Sequence, residues 1–161
     1  MIDREYEMTE SNEDAEREAL ESWYKHLLDN VVKEMVRIKA VSGVAVQAAP
    51  MWVSPYQILI AKVWGVGHEN DFIWTISIDK LIADYLAGSL ATSPQQVARH
   101  FSLKWQMDAD RLAALELNKT SGENADERMQ AYSKRLIAHA ESLYDLANRD
   151  EIWQERQSLS T

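Results

Sequence analysis

The sequence predicts an α+β fold in which a small antiparallel sheet of at least three strands packs with helices in the order α-β-β-β-α-α. Three observations predict it. Apolar residues recur at helical spacing over residues 12–41. After Gly43 the period shortens toward two, and valine, isoleucine, tryptophan and tyrosine become common. Beyond Ser93 helical spacing returns for most of the remaining chain.

The first helix is expected over residues 12–41, with Ser11 or Asn12 as N-cap and Glu13, Asp14 and Glu16 in the first turn, where the helix dipole favours acids. Leu20, Tyr24, Leu27, Val31, Met35 and Ile38 share one face, and Trp23, Leu28 and Val32 widen it. Ser42-Gly43 is the expected stop. Strands are expected at residues 44–48, 56–64 and 71–78, with Pro50 and Pro55 bracketing a break between the first two and residues 65–70 forming a hairpin turn. The third strand alternates, with Phe72, Trp74, Ile76 and Ile78 on one face and Thr75 and Ser77 on the other, which predicts half burial. The second is apolar on both faces, so it needs cover on each side, from its own helices or from another subunit.

Residues 79–91 read as a short helix ended at Gly88. Ser93-Pro94-Gln95-Gln96 is a helix start with serine at the N-cap, proline at the first helical position and glutamine at the third. That helix is expected to run to Asn118, carry Val97, Phe101, Trp105, Leu112 and Leu115 on its apolar stripe, and lie on the sheet. A loop over residues 118–124 leads to a last helix, 125–150, whose stripe is Met129, Tyr132, Leu136, Ala140, Leu143 and Ala147. The 161 residues fit one domain, 1–161, with residues 1–11 and 157–161 as disordered polar ends.

Composition narrows the function classes. No apolar run reaches the length of a membrane span, and the first residues lack the basic and apolar regions of a secretory signal. The chain has no cysteine, which removes disulfides, a thiolate nucleophile and thiolate-held metals, and fits a reducing cytoplasmic compartment. Of the net charge of −9, residues 1–21 hold −7, from nine acids against Arg4 and Arg17. No dense basic cluster is available to displace counterions from phosphate, so nucleic acid is not an expected partner. The acidic front aids solubility or engages a basic partner.

No catalytic residue, cofactor or metal site is assigned. There is no G-x-S-x-G elbow, and Gly65-Val66-Gly67 sits between strands without a following lysine, so it reads as turn chemistry and not as a phosphate loop. His26, His68, His100 and His139 lack ligand spacing. The densest polar candidate is His100, Lys104 and Asp108, one column at i, i+4 steps beside Phe101 and Trp105, taken with Arg99 and with Trp74, Asp84 and Tyr85 upstream. The plainer account of that column is a solvated flank with a Lys104–Asp108 ion pair. Six tryptophans are many for this length, and aromatic rings with a polar edge favour interfaces as well as cores. Trp52 and Trp153, near element ends, are expected to be the exposed ones; with Leu59 and Val63 of the second strand they form the candidate interface.

The run SPQQVARHFSLKWQMDADRL, preceded by FIWTISI and IADYLAGSL, resembles an uncharacterised bacterial family known as a domain of unknown function. The resemblance covers roughly residues 50–112 and includes the Asp84-Tyr85 step. It implies no activity. The residues point to a noncatalytic interaction or adaptor domain, with a homodimer or another protein as partner. Two other readings are a small-molecule binding protein or enzyme with a pocket near His100, and an acidic immunity or chaperone-like protein that binds a basic target.

Overall fold

The computed structural model describes residues 2–42, 45–78, 82–117 and 123–155. Its element order is α1 (Ile2–Arg37), β1 (Val46–Ser54), β2 (Ile58–Gly65), β3 (Ile73–Ile78), β4 (Ile82–Ala87), α2 (Pro94–Leu117), α3 (Glu123–Ala147) and α4 (Asp150–Glu155). Two compact units are formed, one from residues of Met1–Leu90 and the other from Ala91–Arg156. The fold is α+β, as expected, with one strand more than the three counted from sequence.

In the first unit the four strands form an antiparallel meander in the order β1-β2-β3-β4. The register pairs Lys62 with Trp74 and Ile60 with Ile76 between β2 and β3, then Trp74 with Leu86 and Thr75 with Tyr85 between β3 and β4. The short helix expected over residues 79–91 is therefore corrected to a strand followed by a single 3-10 turn at Gly88–Leu90, and residues 79–81 lie outside the described ones. The physical reason lies in β3. All six of its residues are buried, which also corrects the expected half burial, and the backbone groups on its far edge need a hydrogen-bonded neighbour. Residues 82–87 supply it by alternating Ile82, Asp84 and Leu86 with Ala83, Tyr85 and Ala87.

β1 is longer than expected, because the strand continues through Pro50. The register shifts between Pro50 and Trp52, so one extra residue, Met51, interrupts the period of two there. Proline is tolerated because β1 is an edge strand. Both faces of β2 are buried, as its two-sided pattern predicts. On one face Leu27 of α1 packs with Val53, Leu59 and Ala61, while Val31 and Met35 pack with Val63 and Ile73. These clusters fasten the C-terminal half of α1 to three strands.

The helix begins at Ile2, earlier than the Ser11 or Asn12 start expected, and ends at Arg37 instead of Val41. Its end is a Schellman motif. Lys39 takes a left-handed backbone with φ 60°, Ala40 N donates to Met35 O at 2.9 Å and Lys39 N donates to Val36 O at 3.1 Å. A lysine thus occupies the position glycine favours, and Gly43 lies outside the described residues.

In the second unit α2 and α3 run antiparallel, with Gln95 beside Ala147 at one end and Ser133 Oγ donating to Ala109 O at 3.4 Å further along. Ser93 caps α2 as predicted, its Oγ accepting from Gln96 N at 3.3 Å; Gln96 reaches back to the N–H and hydroxyl of Thr92, at 2.8 and 2.9 Å. The buried stripe of α2 is Val97, Ala98, Phe101, Ser102, Trp105 and Ala109, and Leu115 is exposed. On α3, Leu136, Ala140, Leu143 and Ala147 are buried as expected, with Ser133 in place of the exposed Tyr132. The loop expected over 118–124 falls mostly, and the 157–161 tail wholly, outside the described residues.

Candidate functional site

The seven polar and aromatic candidates divide between the two units. Trp74, Asp84 and Tyr85 sit on adjacent strands of the first. Trp74 is fully buried, its ring 5.7 Å from Phe72 in an edge-to-face arrangement. Lys62, which the sequence reading passed over, holds its ammonium 4.5 Å from the Phe72 ring centre and 4.9 Å from that of Trp74. Its signal was present, a lysine at an inward position of an otherwise apolar strand. Asp84 Oδ1 accepts the N–H of Tyr85 at 2.8 Å, and the Tyr85 ring is partly exposed. This carboxylate thus serves the backbone of an edge strand, a local structural task.

Arg99, His100, Lys104 and Asp108 lie on α2 of the second unit. Lys104 Nζ is 3.7 Å from Asp108 Oδ2, the ion pair that the plainer account of the column requires. His100 is exposed. Arg99 Nη2 lies 3.5 Å from Ala147 O, where Gln95 Nε2 also donates, at 2.8 Å, and Gln95 reaches Asp150 Oδ1 at 2.7 Å. The last carbonyls of a helix have no intrahelical donor, so these side chains, with Trp153 Nε1 donating to Leu146 O at 2.8 Å, satisfy the end of α3.

The exposure expected of Trp52 and Trp153 is corrected: both are buried. Trp153 is drawn in because α4 turns back after Asn148 and brings the indole N–H to the α3 terminus. Leu59 and Val63 are buried beneath α1. Among the described residues no group of three or more histidines and carboxylates is arranged to hold a metal ion, and no helix is long and apolar enough to cross a membrane. The Gly65-Val66-Gly67 segment is turn chemistry, with His68 N donating to Gly65 O at 2.9 Å and Gly67 at φ 85°.

Exposed aromatic surface concentrates elsewhere. At the β1–β2 turn, Gln57 N donates to Ser54 O at 3.0 Å, and Pro55 and Tyr56 fill the central positions. Tyr56 has φ 62°, a conformation that costs a residue with a Cβ roughly 1–2 kcal/mol. Its ring lies 5.4 Å from that of Trp23 on α1 and stays 54% exposed. Trp23, Leu20 and Tyr24 are partly buried around the Leu27 cluster. Before Leu20, residues 11–19 of α1 are exposed without exception. Sequence reasoning missed this site because Tyr56 reads as the first residue of a strand; Pro55 marks a break before it, but no local signal shows Tyr56 held against a helix.

These features define an α+β protein with a four-stranded antiparallel meander, polar side chains engaged at a helix terminus and along an edge strand, and a long helix that is exposed over residues 11–19. The chain belongs to the family described as a domain of unknown function, DUF4826, whose family model matches residues 17–153. That span is wider than the 50–112 region that carried the resemblance. No curated protein and no solved structure matches the chain.

Proposed function

We propose that the protein is a noncatalytic interaction domain that presents α1 to a protein partner. The observation that carries this reading is the exposure of every residue from 11 to 19 in a helix whose packed clusters, among the described residues, start at Leu20. A helical stretch with no tertiary cover over about two and a half turns is marginal in water, and docking onto another protein supplies the missing cover. The polar candidates favour the same reading, since Arg99, Lys104, Asp108 and Asp84 each have a local structural task.

Ala15→Pro tests it, because proline breaks the helix inside the exposed stretch and touches neither packed cluster. The variant is expected to lose the partner captured by the immobilised wild-type chain while its main thermal transition stays in place. Light scattering over a concentration series separates the two kinds of partner: a dimer abolished by Ala15→Pro identifies a second copy, and a monomer identifies another protein. A partner held equally by both chains sinks the reading.

A further inference from the structure

We infer that the partner-facing side of α1, from Glu13 to Trp23 together with Tyr56, seats an arginine-rich segment of a basic protein; this rests on the interaction reading above. The face that packs on the sheet through Met35, Val31 and Leu27 continues toward the N-terminus through Trp23 and Leu20, and then through Glu16 and Glu13. Where the sheet ends, the inner face of the helix changes from apolar to acidic. The occupant of the space beneath that stretch must therefore offer cations, not more hydrocarbon.

At the change stands the Trp23–Tyr56 pair, with ring centres 5.4 Å apart, planes at 46° and Tyr56 mostly exposed. Aromatic faces next to carboxylates suit guanidinium, which stacks on a ring while donating two parallel hydrogen bonds to an acid; an ammonium offers only a point charge. The helix's own cations along this stretch are directed at neighbouring acids, Arg17 to Asp14 at 3.9 Å and Lys25 to Glu21 at 3.8 Å. Glu13, Glu16 and Glu18 remain in excess. A net −7 over residues 1–21 opposes the approach of a second α1, of nucleic acid or of an anionic membrane, and attracts a basic chain.

Binding of the 161-residue chain to a synthetic Arg-Gly repeat peptide and to its Lys-Gly counterpart, followed by titration calorimetry at low and moderate salt, tests the inference. The arginine peptide is expected to bind about tenfold more tightly than the lysine peptide. Tyr56→Asn, which puts a residue more tolerant of positive φ at this position, is expected to lose about tenfold in affinity for the arginine peptide with no fall in melting temperature. Glu13→Gln with Glu16→Gln should weaken both peptides and flatten the salt dependence. No binding of the arginine peptide, equal affinity for the two peptides, or an affinity indifferent to Tyr56→Asn overturns it. If the peptide fails while partner capture is still lost in Ala15→Pro, the interaction reading stands and the basic-partner inference alone falls.

Discussion

Single residues hold several backbone positions here against their own preference, and the costs have opposite signs at different sites. Lys39 closes α1 in a left-handed conformation that glycine adopts without a Cβ penalty. Lys39→Gly is expected to stabilise the protein by about 1 kcal/mol, read as a higher urea midpoint with an unchanged slope. Gly88 is the reverse case. A Cβ there would lie 2.5 Å from Phe72 O and 2.8 Å from the Phe72 ring, while Gly88 N donates to that same carbonyl at 3.0 Å. Gly88→Ala is expected to cost about 1–3 kcal/mol through overpacking, in the same urea measurement. At Gly67, with φ 85°, nothing lies within 4 Å of an added Cβ, so only conformational strain opposes alanine. Neither Lys39 nor Gly88 could be assigned these roles from the sequence: a helix stop is read from glycine, and the helix here stops before the nearest glycine is reached.

Elements with strong periodicity were legible and those with mixed signals were not. α1 is recognisable from Leu20 onward because Leu27, Val31 and Met35 fall on one face, and α2 from its Ser93-Pro94 start. β4 was hidden because Ile82, Tyr85 and Leu86 also satisfy a helical spacing over so short a stretch. What decides between the two is the neighbour: β3, buried along its whole length, requires a strand on its far side. The candidate polar column was legible as chemistry but not as structure, since Arg99 acts on the end of α3, a distant segment of sequence. At the end of α1, Glu34 accepts hydrogen bonds from Arg37 at 2.6 and 3.0 Å, and this contact holds its carboxyl below the ordinary carboxylate range. A depressed folded-state value stabilises above the unfolded value and is lost as pH falls through the lowered one. NMR titration of Glu34 should give a midpoint below the usual range, and Arg37→Gln should return it.

For the molecule as a whole, anchoring is uneven along α1. Residues 27–35 are fixed by buried contacts with three strands, whereas 11–19 have none. Hydrogen exchange on the isolated protein should show amides near Val31 protected to nearly the global unfolding free energy and those near Ala15 open at far lower cost. Slow exchange near Ala15 in a monomer would mean that the stretch is stable without a partner. The charge of the chain follows the same division, with the acids concentrated where the packing ends.

Met51, the extra residue in β1, also bears on how the chain length can change. The facing pairs run Ala49 with Lys62, Pro50 with Ala61, and then Trp52 with Ile60, so the residue between them opposes none. Loss of that one codon would leave every other side chain of the strand on its present face, whereas loss of a paired residue elsewhere in β1 would turn part of the strand inside out. Length variation within the strand should therefore be tolerated at this position and selected against at its neighbours.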